Sequence, residues 1–317
     1  MNTKAFYRVA YSREFIVFIS LIILGAVLTS FSPQFLSLEN ISNLLLQISG
    51  ITIVAVGMTM VIITGGFDVS VGSTLGLVAV IIGKAALAGV HPGFIPVIAL
   101  ASGSCLGAIN GNLIAFGRIP PIIATLGTMN ILRASIFQML GGRWISKVPA
   151  GIRWFGISRF LGIPVPMWFA IIIALIFAYF LSRRPSGRYV YALGGNPEAA
   201  NLAGINLRRV QITVYSITGA LAGLAALIYV GRTGIVQTNT GVGFELDVIA
   251  AVVLGGTSTL GGKGSIVGSV AGALLVGVIK NGLILLNVPA LWEGMIIGGL
   301  ILMAVTVDTV RQRGIAA

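Results

Sequence analysis

The feature that most constrains this chain is a succession of long apolar runs. They lie near residues 15–32, 41–64, 69–90, 95–116, 120–140, 166–182, 210–231, 246–260, 265–286 and 290–308. A helix needs about 20 such residues to cross the hydrocarbon core of a bilayer, and in lipid its backbone groups must satisfy one another. Only 9% of the residues are charged, against roughly 25% in an ordinary soluble domain. A water-soluble globule of this size has no means of hiding so much apolar surface. The sequence therefore predicts an all-α, polytopic membrane protein with about ten transmembrane helices, the eighth of them short, and with segments interrupted by glycine-rich turns near 65–72 and 255–264. It excludes soluble enzymes and DNA-binding proteins as first readings. Residues 1–317 form one transmembrane domain on this reading, with a polar inner loop at 183–209 and an outer one at 141–165.

Charge gives the expected orientation. Twenty Lys+Arg stand against eight Asp+Glu, a net charge of +12, and in a membrane chain that excess collects in cytoplasmic loops rather than signalling nucleic acid. Arg183, Arg184, Arg188, Arg208 and Arg209 crowd the 183–209 segment, while Lys4, Arg8 and Arg13 precede the first run. That run ends without a clean small-x-small cleavage site and is taken as a retained helix. Ten crossings then place both termini in the cytoplasm. The exception is the outer 141–165 segment, where Arg143, Lys147, Arg153 and Arg159 lie on the opposite side. Cys105 is the single cysteine and His91 the single histidine, so no internal disulfide, Cys/His metal cluster or resident cofactor is expected. His91 sits in a His-Pro-Gly turn as a loop residue, and Cys105 is read as packing.

Within 183–209, Asn196 is a good N-cap, Pro197 suits the first helical position, and Glu198 complements the positive helix end. Ala199, Ala200, Leu202 and Ala203 continue the helix, and Gly204 can end it in the left-handed conformation. A short capped helix flanked by arginines is a rigid knob for a cytoplasmic partner, or an interfacial helix resting on lipid headgroups. Asp68 follows Gly65-Gly66 between two apolar runs. A carboxylate at that depth marks a functional position; it either caps a helix starting at Val69 or contacts a polar solute.

Asn110, Thr125, Thr128, Asn130 and Asn281, with Thr59, Asn112 and Gln138, are polar residues in apolar runs. They suit either a path for a neutral polyol or helix-to-helix hydrogen bonds. The four-residue glycine ribs Gly103/Gly107/Gly111 and Gly264/Gly268/Gly272 suit close helix packing within the chain, or between copies. Gly255–Gly264 is not a Walker A loop: Thr257 stands where that motif needs glycine, and Gly264 where Ser or Thr must follow Lys263. Glu245 and Asp247 sit where a helix begins after an outer segment, and with Arg143, Lys147 and Arg153 they form a candidate docking surface for a solute-binding protein.

Four stretches carry a resemblance. Gly194–Gly204 resembles the glutamate-alanine-alanine coupling segment of permeases in ATP-binding-cassette importers. Thr64–Ser73, Ala124–Met129, and Leu246–Ser258 followed by Gly261–Gly264 are similar to the ribose-type sugar permeases among them. Phe67 departs from the isoleucine common before the aspartate. Gly141–Ile145 and Pro289–Trp292 are similar to autoinducer-2 permeases. The resemblance implies a bacterial inner-membrane transport subunit for a ribose-like monosaccharide, with autoinducer-2 or a deoxyhexose as the alternative. It implies a separate ATPase seated on Asn196, Pro197, Glu198, Ala199, Ala200 and Gly204. A periplasmic or tethered sugar-binding protein and a second permease chain would complete the system, in contact with membrane lipid. An ion-coupled transporter would want several buried acids, where only Asp68 stands out; an intramembrane enzyme would want a nucleophile–base pair or a metal.

Overall fold

The computed structural model describes residues 13–146, 148–289 and 291–316; Lys4, Arg8 and Lys147 lie outside the described residues. Each expected span falls on a helix. In chain order these are α1 (Arg13–Phe31), α2 (Leu38–Ile63), α3 (Val71–Leu87), α4 (Ile95–Ala115) and α5 (Pro121–Leu140), then α6 (Ala150–Ile157) and a small hairpin of β1 (Arg159–Phe160) and β2 (Ile163–Pro164). The remainder are α7 (Val165–Arg183), α8 (Pro185–Gly195), α9 (Pro197–Leu202), α10 (Leu207–Thr233), α11 (Phe244–Leu254), α12 (Ile266–Leu285) and α13 (Leu291–Ala316). Among the described residues, six helices are long and apolar enough to cross a membrane, and Val17–Phe31, Val71–Leu87 and Leu291–Thr306 are shorter apolar helices.

Burial follows from the hydrophobic pattern. α2 is apolar around its circumference, and Ile53, Met58, Met60 and Ile62 are fully buried, so it runs through the centre of the bundle. Ile22, Ile123 and Leu175 leave 62–67% of their surface exposed on the outer helices, as a protein solvated by acyl chains requires. The closest helix pair is α4 with α10. A side chain at Gly103 or Gly107 would overlap the carbonyl oxygens of Gly219 or Tyr215, and one at Gly111 would meet Ile212. The first glycine rib is therefore a packing seam within the chain. The second is shorter than its spacing suggests: Gly264 precedes α12, and only Gly268 and Gly272 lie on it, against the Gly255 and Ala251 carbonyls.

Two local expectations are corrected. The run 246–260 is not a full span, because α11 has 11 residues and at 1.5 Å per residue reaches about 16 Å, half of a hydrocarbon core. Of residues 232–247, expected outside, 234–243 re-enter the bundle along α3: Val236 lies beside Gly83, Thr240 beside Gly76, and Gly241 and Glu245 beside Gly72. Val236 and Thr240 are buried. The interruptions expected near 65–72 and 255–264 are both present: residues 64–70 separate α2 from α3, and 255–264 is a glycine turn after α11, with Gly256, Gly261 and Gly262 at positive φ. The 183–209 segment holds the expected short helix as α9, and α8 precedes it and buries Gly187, Val190 and Leu193. Cys105 is exposed on the face of α4 away from the glycine seam, whereas His91 is the turn residue expected, its Nδ1 accepting from the Gly93 N–H at 3.2 Å.

Candidate functional site

The knob is built as its sequence dictates. Asn196 Oδ1 accepts from the Ala199 N–H at 2.9 Å, Pro197 occupies the first helical position, and Glu198 lies in the first turn. At the other end Gly204 adopts φ +79°, and the Ile205 N–H bonds back to the Ala200 carbonyl at 3.1 Å, closing a Schellman turn. Asn206 then caps α10 by accepting from the Arg209 N–H at 3.1 Å. Asn196, Pro197, Glu198 and Ala199 are exposed, while Ala200 is buried beneath them. Leu202 is 89% exposed at the tip. A cleft of about 930 Å³ separates α9 from the α4–α5 turn and is lined by Thr64, Arg118, Glu198, Gly204, Arg208 and Gln211 among others.

Beneath the knob, α8 is locked to two inner segments. A side chain at Gly194 would overlap the Ile63 carbonyl, which accepts from the Gly262 N–H at 2.8 Å. The Tyr191 hydroxyl donates to the Gly264 carbonyl at 2.9 Å, and burial pushes this phenol's pKa up, so it stays a neutral donor. The helix that leads into α9 is thereby packed on the C-terminus of α2 and on the 255–264 turn.

The segment after α2 carries Asp68, 2% exposed. The carboxylate does not cap a helix starting at Val69, because α3 starts two residues later, at Val71. Asp68 Oδ1 accepts instead from the Ser70 N–H at 2.9 Å and the Ser70 hydroxyl at 2.6 Å, while Asn110 Nδ2 donates to Ser70 Oγ at 2.8 Å. The Phe67 carbonyl accepts from Tyr215 and Thr125, each at 3.3 Å. Helices α4, α5 and α10 thus converge on residues 67–70. Replacing Asp68 with alanine strips two buried donors of their acceptor, at about 1–3 kcal/mol each, whereas Asp68→Asn keeps one oxygen in place. Thermal unfolding of the detergent-purified chain is expected to show a much larger loss for alanine than for asparagine; equal losses would contradict this role.

The other candidates separate. Thr128 donates to the Thr125 carbonyl at 3.1 Å, and Asn130 is exposed on α5, bonded to Leu126. Asn281 exchanges two hydrogen bonds with Asn40, at 2.9 and 2.8 Å, and Thr59 donates to Ser269 at 2.6 Å; these are helix-to-helix bonds. Asp68, Asn110 and Thr125 therefore meet in one network, and Asn130 and Asn281 do not join it. Arg143 and Arg153 are exposed at the end of the bundle opposite the knob. Glu245 and Asp247 are drawn into the bundle. Glu245 packs beside Gly72 at the start of α11, and Asp247 pairs with Lys280 at 2.6 Å, whose ammonium also meets Glu293 at 2.7 Å.

Four functional-looking residues escaped the sequence reading: Leu202, Lys280, Glu293 and Arg133. Arg133 Nη1 donates to the Thr240 carbonyl at 2.7 Å and pins the re-entrant segment. The available signal was a charge inside an apolar run, which holds for Arg133 and Lys280. Leu202 gave none, because an exposed leucine is ordinary until its position at a protruding tip is known.

Residues 40–305 match the family described as branched-chain amino acid transport system / permease component. The chain is 42% identical to the ribose import permease protein RbsC of Escherichia coli strain K12, over 98% of each chain. It is also 42% identical to RbsC of Haemophilus influenzae, over 92% of this chain and 91% of that one. The autoinducer 2 import system permease protein LsrC of Salmonella typhi is 37% identical, over 95% of this chain and 87% of its own. No solved structure matches. A family match across most of the length and relatives aligned nearly end to end lead to one conclusion: this chain belongs to that family of membrane transport permeases.

Proposed function

We propose that the chain is the permease subunit of an ATP-driven importer that moves a ribose-like monosaccharide into the cytoplasm of a bacterium through its inner membrane. The observation that carries the substrate is the 42% identity to ribose import permeases over 98% of the chain; the 37% identity to LsrC keeps autoinducer-2 as the second reading. The end bearing Arg183, Arg184, Arg188 and α9 faces the cytoplasm, in keeping with the positive-inside rule. A separate ATPase grips α9 there. Arg143 and Arg153 at the other end receive a sugar-binding protein, and both chain termini lie on the ATPase side.

A second permease chain completes the pore. α5 supports this, since Gly127, Asn130, Ala134, Gln138 and Gly141 form an exposed stripe of small and polar residues at helical spacing. Amides facing acyl chains are costly, whereas facing a second copy or a water-filled path they are satisfied. ATP-driven closure of the ATPases displaces the α9 knobs as rigid bodies. Through Gly194–Ile63 and Tyr191–Gly264 that displacement biases a bundle with two arrangements.

The energy source tests the reading. In cells expressing this chain with its ATPase and binding protein, D-ribose uptake is expected to be abolished by orthovanadate and to survive a protonophore over the first minutes. Loss with the protonophore and indifference to vanadate would mark an ion-coupled carrier instead.

A further inference from the structure

A pit of about 320 Å³ opens between α2, α10 and the start of α11. Neither the knob nor the Asp68 network uses it. Leu46, Ile51, Leu75, Ala225 and Ile228 supply apolar wall, and six polar side chains ring the space: Gln47, Tyr229, Arg232, Asn239, Asp247 and Lys280. They come from four helices and the 234–243 segment, so the pit is a product of the fold rather than of any motif. Arg232 and Asn239 are the exposed members of this polar ring. The volume lies at the lower end of small-molecule sites, which start at roughly 300 Å³, and it excludes peptides and nucleotides.

The chemistry of the ring selects the occupant. The side chains of Gln47, Arg232 and Asn239 make no hydrogen bond among the described residues, leaving two amides and a guanidinium with free donors and acceptors. Asp247 and Lys280 add an acceptor and a donor already aligned with each other at 2.6 Å. The charges balance: Arg232 and Lys280 stand against Asp247 and the adjoining Glu293. An anion would be repelled by the carboxylates and a cation by the two basic groups, so the site suits a neutral solute. A ring whose hydroxyls each donate and accept matches the amides, and its C–H face matches the Tyr229 and Phe244 rings that also line the pit.

We infer that this pit binds a neutral monosaccharide on its way from the binding protein into the membrane. The inference rests on the importer reading above for the side from which sugar arrives. It gives Glu245–Asp247 and the re-entrant 234–243 segment a task, since they shape the wall and hold Asn239 at the rim.

Thiol labelling in lipid nanodiscs tests it without nucleotide or partner proteins. In a Cys105→Ser background, Asn239→Cys at the rim is compared with Arg159→Cys, which is exposed on the hairpin. A small charged methanethiosulfonate is the reagent, and D-ribose, D-xylose and D-glucose are the probes. At about four times its Kd, a bound sugar slows labelling roughly fivefold, as mass action requires. That protection is expected at Asn239→Cys and not at Arg159→Cys, and adding Gln47→Leu is expected to remove it while the melting temperature holds. Unprotected labelling with all three sugars, or equal slowing at both positions, would overturn the inference. Protection without any ATP-driven uptake would keep the pit and sink the importer; ATP-driven uptake without protection would sink the pit alone.

Discussion

Reversing the charge of Glu198, or replacing Leu202 with aspartate, is expected to abolish ATP-driven uptake while the permease still inserts and melts normally. Both side chains are exposed on α9, so neither change disturbs the fold. On the proposed reading Leu202, 89% exposed at the end of α9, serves as an anchor residue for the ATPase. Anchors of this kind contribute about 2–4 kcal/mol, and each 1.4 kcal/mol is about tenfold in affinity. The ATPase should therefore bind the Leu202→Asp permease roughly 30- to 700-fold more weakly. Co-purification and uptake read the two consequences separately. A variant that keeps full ATPase binding and transport would remove α9 as the coupling element.

The second large effect concerns the α4–α10 seam. Gly103→Leu or Gly219→Leu is expected to prevent accumulation of folded protein in the membrane. At each position the first side-chain atom would already overlap a backbone carbonyl of the facing helix, so the helices must part along their whole contact. Overpacking costs about 1–3 kcal/mol where side chains can yield; backbone cannot, and the cost here sits at or above the top of that range. Gly127→Leu, on the exposed stripe of α5 with nothing near its Cβ position, should leave the folded protomer intact. Membrane yield and detergent melting of the three variants check this. Normal yield for Gly103→Leu would show that the seam is looser than its geometry requires.

Much of this molecule was legible in its sequence because the bilayer imposes one rule on every span: apolar length. The runs that predicted helices coincide with α1–α5, α7 and α10–α13 to within a few residues at most ends. The α9 knob was legible for a local reason, since N-cap, proline, acid and terminal glycine act on adjacent residues. Three features were not, and each depends on contacts distant in sequence. The 232–247 segment is polar enough to read as an outer loop, and its inward course is set by Arg133, by Gly72 and Gly76 on α3, and by the Ile145–Val236 bridge. Asp68 has the composition of an N-cap, but Ser70, itself held by Asn110 from α4, takes its oxygen before a helix can begin. The polar residues in apolar runs looked alike in sequence; the fold divides them into a shared network (Asp68, Asn110, Thr125), interhelical pairs (Thr59, Asn281) and an exposed face (Asn130, Gln138).

The most direct measurement is reconstitution. The purified permease is placed in liposomes alone, then with its ATPase, with the sugar-binding protein and labelled D-ribose on the opposite side from ATP. The account predicts accumulation above the outside concentration only when the ATPase, ATP and binding protein are all present, with ATP supplied on the side of α9. Concentration of the sugar by the permease alone, with no nucleotide, would contradict it.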